Sequence, residues 1–469
     1  MLTYQDFEKA NDKEKFVKNL IEEHKESAEV ETAKVADLYF ARRNKTINEY
    51  VQRIYSEAGI PLEDYVASNN KIASNFFWRL NTQRCMYSLG NGVTFEKKDT
   101  KKKLGEQSFD TELKKAAKLA LIHGCSFMFL NVDKVHVFPM TKFAPLWDED
   151  TGALRAGVRF WRLDREKPTI AVLYEEDGYT RLRAEAGKER TFKVIEEKRA
   201  YKRKIAKAPA DSEPTVLGEE NYGGKLPIVT LWGNEIHQST LIGMQQAIDS
   251  FDLVRSGFAN DLQDCAQIYW ILENYGGMTK EDLAKFRDQI KLMHIAQADT
   301  GEGGGVKPYT QEIPHEARIK YLEHIRAGIY EDFGGLDVHT IAAGATNDHI
   351  DAAYQPLDEN ADDFEFQIIE AVQGLLRLIG VEDTPRFKRN RISNWSEQVD
   401  ILVKEAGIVD LDDETLLEKF PNFTPEEVKK TLERIIDAGA QRMTRKEQEP
   451  TKQEPEQQEP EGEQQDGEA

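Results

Sequence analysis

The sequence predicts an α+β protein assembled from several modules. Three observations predict it: helical periodicity towards both ends, a central block of short β-type runs between residues 127 and 205, and a length of 469 residues, enough for about three domain-sized cores. Residues 223–266 organise the rest. They read as a short Pro-fixed strand followed by a helix of about 27 residues, roughly 40 Å long. Leu241, Met244, Ile248, Phe251, Val254, Phe258, Leu262 and Cys265 share one arc of that helix. Gln245, Asp249, Asp252, Ser256, Asn260 and Gln263 occupy the other, where no Lys or Arg appears. An apolar face towards a core and an acidic face away from it is the expectation.

Residues 1–60 are charged and helical in pattern, with a few aromatic anchors in LYFARRNKTINEYVQRIY, which predicts peripheral packing or a contact with a neighbour. Between residues 69 and 89, Ile72, Phe76, Phe77, Leu80, Cys85 and Met86 predict a buried helix, ended by Gly90-Asn91-Gly92. Asp110 fits the cap of a helix running through Ile122, after which Ser126 to Val132 turns to β-type composition. The runs FMFLNV, KVHVFP, AGVRFWRL, TIAVLYEE and TFKVIEEKRAYKRKI, split by Asp, Gly and Pro turns, predict a mostly antiparallel sheet. The basic stretch Lys198 to Lys207 reads as a solvated edge strand whose lysines discourage edge pairing, and residues 208–224 as a loop.

After the long helix, QIYWILENY reads as a strand, Thr279 as the cap of a helix through about His294, and GEGGGVKPYTQEI as a Gly-rich turn and strand, giving a β-α-β insert. The Gly301 to Gly305 run lacks the Gly-Lys-Ser/Thr of a nucleotide P-loop and opens no helix, so no nucleotide is expected there. Ile319, Leu322, Ile325 and Ile329 return as a helix over 314–333. Residues 335–355 are rich in small residues and contain no Lys or Arg, and they read as a connection. Phe364, Ile368, Ile369, Val372, Leu375, Leu376 and Ile379 mark a long helix from Asp358 to Leu378. Arg386, Lys388, Arg389 and Arg391 then alternate with Phe387 and Ile392, a strand face suited to acidic neighbours more than to DNA. Two or three helices follow, capped around Asp412-Asp413 and Thr424-Pro425-Glu426-Glu427. Beyond Arg445 the imperfect QEP repeats hold no aromatic and no large aliphatic residue, which predicts an acidic disordered tail.

Lys plus Arg number 63 and Asp plus Glu 84, a formal charge of −21. That balance disfavours tight static binding of nucleic acid, which depends on cations neutralising phosphates, yet an acidic wall suits a duplex that must slide without sticking. Cys85, Cys125 and Cys265 make no CxxC pair, so neither a disulfide framework nor a zinc site is expected. No run of about 18 apolar residues occurs and the first residues do not read as a signal peptide, so a soluble, unexported chain with no membrane contact is expected. HExxH and GxSxG are absent, and Glu196-Glu197-Lys198 has no paired Asp to make a nuclease metal site. No enzyme activity, cofactor or metal is expected.

Five stretches in collinear order carry a family resemblance. They are Asn70-Lys71-Ile72 to Leu89-Gly90; Ile122-His123-Gly124-Cys125-Ser126-Phe127; the run from LPIVTLWGNEI through Ile248-Asp249, Ser256 and Asn260-Asp261; Arg389-Asn390 through Glu397; and Gly407-Ile408 to Glu414-Thr415-Leu416-Leu417 and Pro421. Over about residues 50 to 435 the chain resembles the tailed-phage portal proteins, in the branch related to the portal of Bacillus phage SPP1.

The resemblance implies a portal architecture of wing, α-helical stem, small α/β clip insert and helical crown, assembled as a ring. Residues 1–235 would form the N-terminal helices and wing, 236–265 the first stem helix, 266–315 the clip and 316–334 the second stem helix. Residues 335–355 would form the tunnel loop, 356–395 a long wing helix and strand, 396–445 the crown and 446–469 the tail. It further implies a homo-oligomer, by family a dodecamer, at one capsid vertex of the virion, assembled in the host cytoplasm. Its partners would be the large terminase subunit, a head-completion adaptor, the major capsid and scaffolding proteins, and double-stranded DNA in transit. Gly344, Ala345, Thr346, Asn347 and Asp348 would line the tunnel; Asp249, Asp252 and Asp264 are candidates to face the channel from the stem; Lys280, Lys285 and Arg287 are candidates for docking partners on the clip. A metal-dependent phage nuclease and a non-portal capsid or scaffold protein are the competing readings.

Overall fold

In the computed structural model, residues 2–55, 59–64, 67–97, 99–185, 191–205, 216–264, 269–273, 305–309, 314–341, 346–391 and 430–436 are described, with isolated positions 279, 281, 402, 404 and 428. The chain divides into two compact units, one of Met1–Thr340 with Ala353–Arg391 and one of Ile341–Ala352 with Ile392–Ala469. Helices α1 (Tyr4–Lys9), α2 (Lys13–Glu26), α3 (Ala28–Phe40) and α4 (Lys45–Glu49) open the first unit. A hairpin of β1 (Arg53–Tyr55) and β2 (Pro61–Glu63) follows, then α5 (Phe76–Leu89), β3 (Val93–Thr94), α6 (Thr100–Lys103) and α7 (Gln107–His123).

Ten strands come next: β4 (Cys125–Asn131), β5 (Lys134–Pro139), β6 (Phe143–Trp147), β7 (Leu154–Trp161), β8 (Thr169–Glu175), β9 (Gly178–Ala184), β10 (Phe192–Arg199), β11 (Lys202–Ile205), β12 (Val216–Glu220) and β13 (Ile228–Trp232). The predicted antiparallel β region is therefore present, but it is three sheets. Strands β10-β9-β8-β7-β6 form one, β13-β4-β5 a second and β11-β12 a third. The run TFKVIEEKRAYKRKI, read from sequence as one strand, breaks at Ala200 and Tyr201, whose buried side chains turn the chain from the first sheet into the third. Its basic residues behave as an edge should: β10 is a sheet edge with two register shifts, and Lys198 pairs with Glu175 and Asp177 at 2.9 and 2.7 Å.

The first forty residues are core. Phe7, Phe16, Val17, Leu20 and Ile21 join Ala144, Leu146, Val158, Leu173 and Leu182 of the five-stranded sheet in one buried cluster. Val30, Ala33, Ala36 and Tyr39 of α3 are buried completely. This sharpens the expectation of peripheral packing, because i, i+4 apolar pairs in α2 (Phe16 with Leu20, Val17 with Ile21) seat the helix on the sheet despite its high charge. A larger cluster unites α7, β4, β5 and β13 with Phe364, Ile368, Val372, Leu375 and Leu376.

Those last five belong to the helix ending at Leu378. The remaining elements are α8 (Gln245–Asp264), β14 (Tyr269–Glu273), β15 (Gly305–Tyr309), α9 (His315–Phe333), α10 (Asn347–Leu378) and β16 (Arg386–Phe387). Helix α8 has 20 residues, about 30 Å, rather than the expected 27. Residues 233–244 are turns: the Asn234 side chain bridges the N–H and C=O of Gln238, and His237 and Gly243 take left-handed φ of 58° and 87°, which an α-helix cannot accept. In the other direction α10 is longer than expected. It starts at Asn347 rather than Asp358 and carries Pro356 inside it, a residue that removes a helical hydrogen bond and ends a periodicity-based reading.

Because Leu20 is only 1% exposed, truncating it tests whether the N-terminal helices belong to this core. Leu20→Ala should lower stability by about 2–5 kcal/mol, read as a drop in the urea midpoint with unchanged slope.

Candidate functional site

The long organising helix, α8, packs antiparallel against α9, since Asp261 near the end of α8 pairs with Arg318 near the start of α9. Arg318 also lies over the Phe258 ring, 5.8 Å from its centre. At the base of the pair Phe76 makes edge contacts with Phe251 and Tyr330, at 5.0 and 6.2 Å, and Ile248, Ile329 and Phe333 complete a buried cluster with Leu80 of α5. Between the two helices the chain inserts β14 and β15, paired antiparallel from Tyr269 opposite Tyr309 to Glu273 opposite Gly305. The two strands of the expected β-α-β insert are thus present. Lys280, Lys285 and Arg287, named for partner docking, lie outside the described residues.

The polar face of α8 is buried too, beside the apolar residues at its base. Asp252 is 0% exposed, Ser256 3% and Asn260 7%, while Leu262 from the presumed core face is 56% exposed. The reason is a strap, the segment entering α5. Its backbone N–H groups at Asn70, Ile72 and Ser74 donate to Asn260 Oδ1 at 2.6 Å, Ser256 Oγ at 3.0 Å and Asp252 Oδ1 at 2.8 Å. Two residues of extended chain advance about 6.7 Å and four residues of helix about 6 Å, so every second strap amide meets an acceptor one helical turn on. Buried amides need such acceptors, and an aliphatic helix face could supply none.

This arrangement corrects the assignment of Asp252 to a channel wall. Both its oxygens are taken within the chain, by Ser74 N–H and by Asn44 Nδ2 at 2.5 Å. Burial among neutral donors raises its pKa from the ordinary aspartate value. Asp249, one turn earlier and half-buried, accepts from Tyr39 Oη at 2.5 Å and Thr46 Oγ1 at 2.6 Å. Burial and that bond push the Tyr39 phenol up to about 12. The side chain of Asp264 lies outside the described residues.

Of the proposed tunnel residues, Gly344 and Ala345 lie outside the described residues. Thr346 precedes α10, its carbonyl accepting from Ile350 N–H and its hydroxyl 2.9 Å from His349 Nδ1. Asn347 and Asp348 are the first two residues of α10, so helix begins where a loop was expected.

Two arginines of the basic run after α10 are neutralised by that helix. Arg389 donates to Asp358 at 2.9 Å, to Glu365 at 3.0 and 3.1 Å, and to Asp362, three acids on one helical face. Arg391 donates to Tyr87 Oη at 2.7 Å and to Asp358, and Arg386 to Glu96. The acidic neighbours expected for this run are residues of the same chain. Burial alone would raise the pKa of Asp358, but bonds from Arg391 and Tyr87 hold it below the ordinary value.

No group of His, Cys, Asp and Glu among the described residues could hold a metal ion. One cavity of about 460 Å³ brings His123, Cys125 and His237 together beside Trp147 and Trp232. Full burial pushes the Cys125 thiol up to about 12, and His123 is engaged by Asp37 at 2.8 Å, so that pair does not form an activated nucleophile at neutral pH. Among the described residues no helix is long and apolar enough to cross a membrane.

A family model described as phage portal protein, SPP1 Gp6-like, matches residues 19–441. The chain belongs to that family. Among similar portal proteins, that of Clostridium phage phiCD119 is 34% identical over 196 residues, a match covering 39% of this chain and 43% of the relative. The portal protein of Bacillus phage SPP1 is 25% identical over 385 residues, covering 75% of this chain and 73% of the relative. Solved structures described as the virion of a native gene transfer agent particle and the neck of such a particle computed with C12 symmetry overlap at TM-scores of 0.42 and 0.41. Their identities are 12% and 11%, and the overlaps cover 73% and 80% of this chain and 89% and 96% of those chains.

Two substitutions in this portal protein separate its two kinds of polar contact. Asp252→Ala strands the Ser74 and Asn44 donors and should cost about 2–4 kcal/mol in the urea midpoint, whereas Gln263→Ala at the exposed end of the strap should cost well under about 1 kcal/mol. For Arg389→Ala a loss of about 1–3 kcal/mol is expected at neutral pH, allowing for partial solvent screening. Because Asp358 titrates below its unfolded value when folded, its stabilising contribution is present above the ordinary carboxylate range and drains as pH falls through the depressed value. The gap between wild type and Arg389→Ala should therefore narrow as pH falls below the ordinary carboxylate range.

Proposed function

We propose that this portal protein assembles as a homo-oligomeric ring, dodecameric by family, at one capsid vertex, and that genomic DNA enters and leaves through its centre. The observation that carries the proposal is the family match across residues 19–441, together with an antiparallel helix pair, α8 and α9, that carries a β insert at its far end. In this reading α8 and α9 are the stem, the β14 and β15 insert is part of the clip, and the helices and sheets before residue 235 are the wing. The clip, through Lys280, Lys285 and Arg287, docks the large terminase subunit and later the head-completion adaptor. Capsid and scaffolding proteins contact the rest of the rim. Residues 341–346 and the head of α10 form the tunnel lining, with Gly344, Ala345, Thr346, Asn347 and Asp348 nearest the axis.

The mechanism is passive. ATP energy comes from the terminase, and the ring supplies a gauge, a docking site and a wall of low affinity for phosphate. A net charge of −21 supports the last role, since unpaired cations would hold a sliding duplex. Of the three stem candidates, Asp252 is buried and Asp249 engaged, which leaves Asp264.

Native mass spectrometry of the full-length protein, with negatively stained class averages, tests this reading. Rings of about a dozen subunits with an open centre are expected, and a strictly monomeric protein in the presence of its scaffold would sink it. Alanine substitution across residues 344–348 should impair packaging or retention of DNA in a phage carrying it, and unchanged titre would remove the tunnel assignment.

A further inference from the structure

The segment leaving α9 is held by more polar contacts than a simple connection needs. Gly334, at φ 61°, closes the helix, with its N–H on Glu331 O and the N–H of Gly335 on Tyr330 O. A Cβ at Gly334 would lie 1.8 Å from Asn360 Nδ2, which itself donates to Phe333 O at 3.1 Å and Pro356 O at 3.2 Å. Gln83 of α5 uses its amide as a strand would use its backbone: Nε2 donates to Leu336 O at 2.9 Å and Oε1 accepts from Leu336 N–H at 3.1 Å. Nη2 of Arg326 on α9 donates to both carboxylate oxygens of Asp337, each at 2.8 Å. The same carboxylate accepts from His339 N–H, and the Asp337 carbonyl accepts from Thr340 N–H and Thr340 Oγ1.

Every one of these partners comes from a different direction: α9 through Arg326, α5 through Gln83 and α10 through Asn360. They meet the chain at Asp337, Leu336 and Gly334 respectively. Neutral turn residues would have sufficed to reverse the chain after α9. A charge-assisted pair whose aspartate is only 13% exposed adds orientation that a turn does not require.

We propose that Gln83, Arg326, Asp337 and Asn360 are positioning residues that fix the root, residues 334–340, of the segment read above as the tunnel lining. The proposal rests on that reading for its functional consequence. Its structural part stands on the contacts themselves. The root is then held by α5, α9 and α10, and displacement of α9 is transmitted to residue 337 through the Arg326 pair.

Hydrogen exchange on the assembled full-length protein tests it. In Asp337→Asn, exchange of amides 335–340 should speed up by about tenfold or more, since a charge-assisted pair and its orienting bonds are lost. Arg326→Lys, which keeps the charge but not the planar guanidinium that holds its donor nitrogen in place, should give an intermediate acceleration. The thermal midpoint should not move, because Ile329, Tyr330 and Phe333 keep the helix end in its core. Unchanged exchange at 335–340 in Asp337→Asn would overturn the proposal. So would acceleration spread evenly over the chain with a fallen midpoint, which marks a general structural role. Local acceleration accompanied by undiminished DNA retention in phage particles would uphold the positioning residues and remove the tunnel reading instead.

Discussion

Everything else in the first unit depends on one contact, the strap of alternate amides laid along α8. An extended segment crossing a helix usually leaves its own N–H groups without partners, because helical backbone is already satisfied. Here the helix supplies side-chain acceptors at 252, 256 and 260, spaced by one turn, and the strap meets them at 74, 72 and 70. Three chain regions are thereby locked together: the N-terminal helices through Asn44, Thr46 and Tyr39, the entry to α5, and the long helix that begins the β insert.

That lock has an electrostatic character of its own. Asp249 and Asp252 are held by hydroxyl, amide and backbone donors, and the cations are used elsewhere. Arg389 and Arg391 serve the acids of α10, Arg318 serves Asp261 at the far end of the helix pair, and Arg326 serves Asp337. Neutral donors in a buried site fix geometry with little dependence on salt, whereas the exposed charges of this acidic chain feel screening. The strap is in this sense insulated from the ionic medium.

The two ends of the helix pair are built for different purposes. At the base, aromatic edges from Phe76 meet Phe251 and Tyr330, and α5 and α10 brace the exit from α9 through Gln83, Arg84 and Asn360. Further out, Ile319 is 44% exposed and Leu262 56%, so the pair leaves its own core with apolar surface uncovered.

The α+β class, the antiparallel β block, the paired strands of the insert and the family itself were legible in the sequence, because each rests on local periodicity or on residues in collinear order. The face of α8 was not. Periodicity divides a helix into apolar and polar arcs and assigns burial to the first, but burial of the second is decided by whether distant donors need acceptors, and residues 70–74 are nearly two hundred positions away. The same limit applied to the N-terminal helices, whose apolar pairs were visible but whose sheet was not, and to Arg389 and Arg391, whose acids lie on α10. The sequence by itself determined which segments could be helix or strand and which family they spell. Only the tertiary structure decided which polar groups face each other, because satisfying a buried amide or pairing a charge depends on distance through space, and the chain order carries no record of it.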